Sequence, residues 1–296
     1  MDPVARAAEL LRAGKLVAIP TETVYGLGAN ALDEAAVRRI FEAKGRPLSS
    51  PLIVHVPDIA MARALAKEWP PEAEALAERF WPGPLTIIVP KDSRVPDAVT
   101  AGLPSVGLRM PSHPVALAVI KAAGIPVAAP SANRFTGLSP TTAQHVRDSL
   151  GGRVDFIVDG GPCTIGIEST VISLAGPKPR ILRPGMISQT QIEEVIGPVE
   201  TGAGAESPGQ HPKHYSPGTR VVIGARPSNG RGVELNLPSD PAAAAETLYG
   251  RLHELDEQGF DWIAIDLPPE TPEWAGIRDR IIRAAHPDSS SESPAE

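Results

Sequence analysis

The chain has 296 residues, of which 42% are hydrophobic and 21% charged. These proportions are typical of a soluble globular protein with one large or two ordinary domains. No apolar run is long enough to cross a bilayer, and the N-terminal residues read as an amphipathic helix, not as a signal peptide. Cys163 is the only cysteine, so no intrachain disulfide can form, and we expect a cytoplasmic protein.

The net charge of −7 comes entirely from the C-terminal third of the chain. Residues 1–200 hold 20 basic and 20 acidic residues, whereas residues 201–296 hold 8 and 15. The sequence pI of about 5.6 argues against non-specific nucleic-acid binding by the whole protein. A local basic cleft in the neutral part remains compatible with this balance.

Residues 1–197 alternate between strand and helix patterns. Segments rich in Val, Ile or Leu predict strands at 15–20, 52–56, 85–89, 106–110, 126–129, 155–158, 170–174 and 180–183. We expect Asp33 to cap a helix that ends at Gly45, and Asp58 to open a helix that runs to about Trp69. Ser188 and Gln191 resemble a capping box before a helix that Gly197 ends.

The C-terminal part is organised differently. Residues 198–219 are rich in Gly, Pro and Ser without periodicity, which predicts a linker. Residues 220–285 predict a small α/β domain of Rossmann-like type, with helices at 241–258 and 273–285. Residues 286–296 are expected to be disordered.

The segment GLGANA at 26–31 matches the loose dinucleotide-binding pattern G-x-G-x-x-A. Its first glycine stands six residues after the predicted end of the strand, whereas the true fingerprint turns tightly off the strand. We therefore interpret these glycines as part of a turn and not as a cofactor loop.

Polar side chains recur at the ends of the predicted strands. The set comprises Thr21, Glu22, Thr23, Ser105, Arg109, Ser131, Asn133, Ser139, Glu168, Ser169, Thr170 and Arg183. Individually each fits a cap, a turn or a surface pair. Because ligands of open α/β sheets bind beyond strand ends, together they predict one polar cleft. Arg109, amid apolar neighbours, would serve either in an ion pair or as a carboxylate clamp.

The stretch KGRPLSSPLIVH at 44–55 gathers Lys44, Arg46, Ser50 and His55 beside a strand. Two fixed cations next to hydroxyl and imidazole groups indicate an anionic ligand, most simply a phosphate. No Walker A loop accompanies them.

Three other assignments have weaker support. Cys163 has no His and acid at a known spacing, so we interpret it as structural. His211 and His214 lack further metal-ligand partners and are interpreted as solvated linker residues. Ser131 lacks the G-x-S-x-G context of a serine hydrolase.

Several motifs together resemble the YrdC-like superfamily. They are PTETVYGLG, KGRPLSSPLIVH, FWPGPLTIIVPK, VGLRMPSHP, PSANRFTGLSPT and GIESTVISL, in this order. With the linker HPKHYSPG and the C-terminal domain, the chain resembles the long, two-domain form of the threonylcarbamoyl-AMP synthase family. The resemblance implies a twisted mixed sheet with flanking helices and a central cleft over residues 1–197, a lid at 198–219 and a shortened second domain.

The resemblance also implies a function and its residues. The resemblance implies a nucleotidyltransferase that joins L-threonine, bicarbonate and ATP into threonylcarbamoyl-AMP and pyrophosphate. Partner proteins would then transfer the threonylcarbamoyl group to tRNA beside the anticodon. The implied threonine set is Thr23, His55, Arg109, Ser169 and the backbone of Ala129. The implied ATP set is Arg46, Ser50, Ser105, Ser131, Ser139, Arg183 and Tyr215. Lys44 and Asn133 are signature residues expected near the phosphates, Lys44 and Arg46 with a catalytic role.

Mg²⁺ is expected with ATP and held mainly by phosphate oxygens and water, without a cluster of protein ligands. Two alternatives stay open. One is an RNA-binding module without synthase activity, which the balanced charge disfavours. The other is a carbamoyl-transfer domain of hydrogenase maturation, which normally carries zinc-finger and acylphosphatase-like segments that this chain lacks.

Overall fold

The computed structural model describes residues 2–208, 214–224 and 226–286. His211 and all but the first residue of the predicted tail lie outside the described residues. The helices are α1 (Pro3–Arg12), α2 (Glu34–Lys44), α3 (Ile59–Leu65), α4 (Pro71–Phe80), α5 (Asp97–Thr100), α6 (Pro114–Ala123), α7 (Ala143–Leu150), α8 (Gln189–Ile196), α9 (Pro241–Glu257) and α10 (Ala275–Ala284). In the part of the chain just defined, no helix combines the length and apolar content needed to cross a membrane.

The strands form a large mixed sheet and a small parallel one. They are β1 (Val17–Ile19), β2 (Gly26–Asn30), β3 (Ile53–His55), β4 (Leu85–Pro90), β5 (Ser105–Arg109), β6 (Val127–Ala128), β7 (Phe156–Ile157), β8 (Thr170–Ser173), β9 (Arg180–Arg183), β10 (Glu200–Thr201), β11 (Arg220–Ile223), β12 (Gly232–Glu234) and β13 (Trp262–Ile265). The ten-stranded sheet has the order β10-β9-β8-β4-β5-β3-β6-β2-β1-β7, and the three-stranded sheet the order β11-β13-β12. The predicted fold class, a mixed sheet with flanking helices plus a small α/β domain, is confirmed.

The residues predicted to cap helix α2 do so in the structure. The Asp33 carboxylate accepts hydrogen bonds from the first turn of α2, and Gly45 ends the helix in the left-handed conformation, with φ of 65°. Val37, Ile40 and Phe41 face the core. The helix thereby delivers Lys44 and the following loop to the edge of the central strands. The capping box of Ser188 and Gln191 is also present.

Two local predictions were wrong. The glycines at 26–31 do not form a turn, because residues 26–30 are strand β2, paired with β1 and β6. A Cβ at Gly28 would lie 2.9 Å from Cγ1 of Val127, so glycine serves close packing within the sheet. The helix opened by Asp58 ends at Leu65 and not near Trp69, since Ala66 turns extended and pairs with Lys91.

The linker lies against the large sheet. Residues 200–201, inside the predicted linker, form β10 at the edge of this sheet. Farther on, Glu206 accepts hydrogen bonds from Ser105 at 3.1 Å and Ser173 at 3.2 Å. The segment 203–208 therefore covers one face of the central strands. The predicted domain limits of 1–197, 198–219 and 220–285 stay a prediction.

The C-terminal domain packs tightly on the first. Val24, Leu138 and Ile167 belong to the same buried cluster as the apolar faces of α9 and α10. At the seam, a Cβ at Gly276 would lie 2.9 Å from backbone atoms of Gly185. A side chain at Gly276 would therefore collide with the backbone of the first domain, whereas a Cβ at Gly185 would meet backbone atoms of residues 168–170 within the first domain.

Candidate active site

A pocket opens where β3, β5, the end of β9, the segments after β1 and β6 and the segment before β8 meet the linker. Its empty volume is about 540 Å³ including the open mouth, within the usual range for small-molecule sites. Most of the predicted site residues line it: Thr23, Arg46, His55, Arg109, Ala129, Ser131, Ser169, Arg183 and Tyr215. The prediction that separate strand ends form one polar cleft is thus consistent with the geometry.

The remaining predicted residues do not line the pocket. Ser50 lies in a partly exposed turn beside it. Ser105 is buried under the linker residue Glu206, and Ser139 donates to Glu168 at 2.5 Å. Lys44 and Asn133 are buried behind the pocket. Their assigned roles stay predictions, and for Ser105 direct contact with a ligand would require Glu206 to move.

Arg109 forms a buried ion pair with Glu22. The sequence had allowed either an ion pair or a carboxylate clamp for this arginine. Nη2 of Arg109 donates to Oε1 of Glu22 at 2.6 Å, and both side chains are about 5% exposed. The second Glu22 oxygen accepts from the backbone N–H of Ser112, and Nε of Arg109 donates to the carbonyl of Gly83. Glu22 therefore fixes the orientation of the guanidinium. Nη1 makes no hydrogen bond to a described residue, so the pocket-lining Arg109 retains a donor for a ligand carboxylate.

His55 lies opposite Arg109 in the paired strands β3 and β5. Burial, reinforced by the charge of Arg109, lowers the pKa of His55 to about 3, so the ring is neutral at physiological pH. Within the described residues, its buried Nδ1 has no hydrogen-bond partner. An unsatisfied buried polar atom beside a pocket is a position where a ligand can bond.

The PTET segment folds into a compact turn. Oγ1 of Thr21 accepts from the backbone N–H groups of Thr23 and Val24, both at 3.2 Å, and it donates to the carbonyl of Val24. Oγ1 of Thr23 lies 2.9 Å from that of Thr21. The turn presents the Thr23 hydroxyl to the pocket beside Arg109.

Arg46 lines the pocket, and Lys44 is buried behind it. Nζ of Lys44 donates to the carbonyl of Ser131 at 2.5 Å and also to that of Asn133. Burial, then the charge of Arg46, holds the pKa of Lys44 well below its ordinary value. Burial lowers the pKa of Arg46 to about 10, and its Nε has no partner although it is buried.

Arg183 joins β9 to β8 and to the linker. It donates to the carbonyl and hydroxyl of Ser169, at 3.1 and 3.2 Å, and to the carbonyl of Pro208 at 3.3 Å. The hydroxyl of Tyr215 lies 3.5 Å from its Nη1. Ser169 in turn contacts the hydroxyl of Thr86 at 2.8 Å. The Arg183 guanidinium thus contacts the linker at Pro208 and at Tyr215 and holds both against the pocket.

The charges in the pocket do not balance. Within the described residues, no carboxylate pairs with Lys44, Arg46 or Arg183, although all three are buried. The carboxylates nearby, Glu22 and Glu168, are each paired with another arginine. Buried cations without counter-ions are costly. The arrangement therefore favours a polyanionic ligand.

Two functional candidates were missed or misread from sequence. His214 is not a solvated linker residue, because it is buried between Phe135 and Tyr215 and its Nδ1 has no partner. Burial and the cations Arg46 and Lys44 hold the pKa of His214 well below its ordinary value. The shared HYSP segment with Tyr215 was the available signal.

The other is Arg280, a fully buried arginine of α10 that pairs with Glu168. It stands among Ile277, Ile281 and Ala284, at helical spacing on an apolar face. A charge in such a stripe requires a buried partner, which was the signal in the sequence.

Two further predictions concern nucleophilic and metal chemistry. Burial raises the pKa of Cys163 to about 12, which fits a structural residue and not a nucleophile. Within residues 2–208, 214–224 and 226–286, no three His, Cys, Asp or Glu side chains are grouped to hold a metal ion.

Sequence families match both parts of the chain. Residues 9–185 match the Sua5/YciO/YrdC family, described as "Telomere recombination". Residues 187–286 match a family described as "Threonylcarbamoyl-AMP synthase, C-terminal domain".

Curated relatives are named threonylcarbamoyl-AMP synthase, as in the description of the second family. Threonylcarbamoyl-AMP synthase of Bacillus subtilis is 43% identical, with 96% of this chain and 93% of the relative aligned. That of Pyrococcus abyssi is 51% identical over 73% of this chain and 66% of the relative.

A solved structure shares the architecture. The crystal structure of P. abyssi Sua5 complexed with L-threonine superimposes with a TM-score of 0.91 at 39% identity, covering 95% of this chain and 94% of that one. A structure of E. coli YciO matches with a TM-score of 0.54 at 26% identity, over 62% of this chain and 88% of its own. The chain therefore belongs to the Sua5/YciO/YrdC family, in the two-domain form that includes the threonylcarbamoyl-AMP synthases.

Proposed function

We propose that this protein is a threonylcarbamoyl-AMP synthase, a nucleotidyltransferase that uses L-threonine, bicarbonate or CO₂, and ATP. The observation that supports this most is the pairing of two unlike regions in one pocket. One region offers a pre-oriented arginine and a hydroxyl, Arg109 and Thr23, and the other offers the buried cations Arg46 and Arg183 without carboxylate partners. Such a pocket suits a small carboxylate beside a triphosphate.

The chemistry requires alignment more than a protein nucleophile. The threonine amine first takes up CO₂ or bicarbonate to become a carbamate. A carbamate oxygen then attacks the α-phosphorus of ATP in line, and pyrophosphate leaves. Lys44, Arg46 and Arg183 would neutralise the charge that spreads over the phosphate oxygens, and this accounts for a site built from cations and hydroxyls.

Arg109 would bind the threonine carboxylate through its free Nη1, while Glu22 keeps the guanidinium plane in place. Arginine suits this position better than lysine because one guanidinium can hold Glu22 and a ligand carboxylate at once, in a fixed plane. Thr23, His55, Ser169 and the backbone at Ala129 would complete this subsite. A hydroxyl-binding site discriminates against valine because its polar groups would be left unpaired.

The nucleotide would lie toward Arg46, Ser131 and Arg183, under the linker. In the structure the segment 203–208 covers the sheet face that holds Ser105, and Tyr215 closes the pocket from the other described end of the linker. We propose that this linker acts as a lid. It would open for ATP, which gives access to Ser105, and close to keep water from the labile adenylate. The predicted contacts of ATP with Ser50 and Ser139, and of the phosphates with Asn133, belong to the same proposal.

Mg²⁺ is proposed as a companion of ATP. Glu22 and Glu168, the carboxylates at the pocket, are engaged by Arg109 and Arg280 and do not offer free oxygens. The ion would therefore be held by phosphate oxygens and water, as magnesium commonly is in nucleotide sites. It would supply charge neutralisation at the phosphates.

The product would be passed to tRNA threonylcarbamoyl-transfer proteins in the cytoplasm. Direct binding of tRNA by this chain is not part of the proposal, because the unpaired cations are buried in the pocket. Exposed arginines such as Arg38 and Arg147 are paired with carboxylates.

The test is pyrophosphate release with each substrate omitted in turn. We expect release only when ATP, L-threonine and bicarbonate are all present, together with a product whose mass equals threonylcarbamoyl-AMP. L-Valine is the matched control, since it lacks the hydroxyl at similar size, and should support little release. Release that is independent of threonine would overturn the proposal, as would no release alongside tight RNA binding.

A further inference from the structure

The C-terminal domain reaches the pocket residue Glu168 through Arg280 of α10 and Tyr249 of α9. The Arg280 side chain has no exposed surface, and its three nitrogens bond to groups in both domains. Nε donates to Oε2 of Glu168 at 2.7 Å, and Nη2 donates to the carbonyl of the same residue at 3.2 Å. Nη1 donates to the carbonyl of Pro184 at 2.9 Å and to the Asp279 carboxylate at 2.8 Å.

The partners of Arg280 are next to pocket residues. Glu168 lines the pocket and directly precedes Ser169, and Pro184 directly follows Arg183. The guanidinium also lies over the ring of Tyr215, 5.2 Å from its centroid. Three separate segments therefore meet at one arginine of another domain: those of Arg183 and Tyr215, on the expected nucleotide side, and that of Ser169, on the expected threonine side.

Glu168 is the counterpart of Arg280 in the first domain. Its carboxylate accepts from Ser139 at 2.5 Å and from Tyr249 of α9 at 3.1 Å as well as from Arg280. Burial opposes the ionised form, but the charges of Arg280 and Arg183 outweigh it and hold the pKa of Glu168 below its ordinary value. The carboxylate is thus used fully in holding its neighbours and has no capacity left for a substrate proton.

We propose that Arg280 is a positioning residue of the active site and that the C-terminal domain serves catalysis by supplying it. Arg280 fixes the loop of Glu168 and Ser169, the end of β9 at Arg183, and the ring of Tyr215 in one arrangement. This inference rests on the proposed function, because Arg183 and Tyr215 are assigned there to ATP. Displacements of about 1 Å in such groups can lower rates by about a hundredfold.

Arg280→Lys is the variant that tests this role. Lysine keeps the charge and can meet Glu168, but its single ammonium group cannot bridge three segments. We expect KM for ATP to rise about tenfold with a smaller change in KM for threonine. Arg278→Lys is the matched control, because Arg278 lies on the same helix and its partners among the described residues, Pro268 and Glu270, belong to the C-terminal domain.

A purely structural role gives a different pattern. It would lower the unfolding midpoint of Arg280→Lys and leave both KM values of the folded protein equal to those of Arg278→Lys. That outcome would overturn the proposal. Failure of the proposed function is recognised separately, since the unmodified protein would then form no threonylcarbamoyl-AMP.

Hydrogen exchange supplies a readout that needs no activity. The backbone N–H of Ser216 bonds to the carbonyl of Thr136, and that of Thr170 to the carbonyl of Pro84. Both amides should exchange faster in Arg280→Lys than in Arg278→Lys, whereas the amide of Leu27 in β2 should not change. If Arg280→Lys does not fold, Glu168→Gln keeps the side-chain shape, and the same rise in KM for ATP and the same exchange pattern are expected. Unchanged exchange at Ser216 and Thr170 in a folded variant would contradict the proposal.

Discussion

The two sides of the pocket are supported in different ways. On the side of Arg109, Thr23 and His55, the polar partners come from the first domain, chiefly Glu22. On the side of Arg183 and Tyr215, they come from Ser169 of the first domain, from the linker and, through Arg280, from the C-terminal domain. We call these the intrinsic side and the dependent side. On the proposed assignment, the threonine side is built into the large sheet, whereas the nucleotide side is completed by Arg280, which lies 112 residues beyond its partner Glu168 in the chain.

Deletion of residues 207–296 should separate the two sides most strongly. We expect the large sheet to stay folded and threonine affinity to change less than tenfold, while turnover falls about a hundredfold or more because Tyr215 and Arg280 are lost. Calorimetry with threonine and pyrophosphate release measure the two effects. A control that deletes only 220–296 distinguishes the linker from the domain. Undiminished turnover in both truncations would show that the dependent side needs neither the linker nor the C-terminal domain.

Arg109→Ala tests the intrinsic side. We expect KM for threonine to rise about a hundredfold, and stability to fall by about 3–5 kcal/mol because Glu22 is left buried and unpaired. Steady-state kinetics and urea unfolding report these effects. The double variant Glu22→Gln with Arg109→Ala should recover much of the stability without recovering the affinity. An unchanged KM for threonine would show that Arg109 serves only the ion pair.

Arg46→Ala is the corresponding test of the nucleotide region. We predict a rise of about tenfold in KM for ATP with KM for threonine nearly unchanged, because no carboxylate of the described residues pairs with Arg46, which lines the pocket and donates to the carbonyl of Pro51. Kinetics with one substrate varied at a time provide the measurement. Equal changes in both constants would mean that the two subsites are not separate.

Tyr215→Phe is expected to have a smaller effect. The hydroxyl lies 3.5 Å from Nη1 of Arg183, at the limit of a hydrogen bond, while the ring keeps its contacts with His214 and Arg280. We expect KM for ATP to change by about twofold or less. Tyr215→Ala, which removes the ring, should have the larger effect, and the reverse order would argue against closure by the ring.

The seam between the domains should also respond to pH. His145 and His253 stack at 3.9 Å between centroids, and burial, then the neighbouring His253, lowers the pKa of His145 to about 4. Because the unfolded ring titrates near 6.5, unfolding takes up a proton between pH 6.5 and 4, and stability falls as the pH is lowered through that window. His145→Gln should reduce this slope by less than about 1.4 kcal/mol per pH unit, since the ring is half-exposed. Urea unfolding between pH 4 and 7 measures it, and an unchanged slope would exclude His145 as the titrating group.

Much of the intrinsic side could be predicted from sequence. Short strands rich in branched residues, and the polar residues that follow them, are local patterns, and they identified Thr23, His55 and Arg109. The Glu22 partner could not be assigned, because it lies 87 residues from Arg109 and depends on how β1 and β5 are placed in the sheet. The pattern around Gly28 was misread, because close packing against Val127 leaves no local signature that distinguishes it from a turn.

The dependent side was harder to predict from the sequence, because its residues also have partners that are distant along the chain. The bond between Arg280 and Glu168 spans 112 residues and two domains. Composition marked the linker as irregular, but composition does not show that His214 and Tyr215 fold back into a buried pocket. Resemblance to the family, and not spacing, pointed to Tyr215.

The contact between Gly185 and Gly276 has a consequence for recombination of the two domains. At Gly276 the obstacle to a side chain is the backbone of Gly185, which cannot move aside as a flexible side chain can. A chimera that joins the C-terminal domain of a relative to this catalytic domain would need glycine at the position of Gly276, however well the apolar surfaces matched. A larger residue at that position should therefore yield proteins that fold as two units but fail to dock.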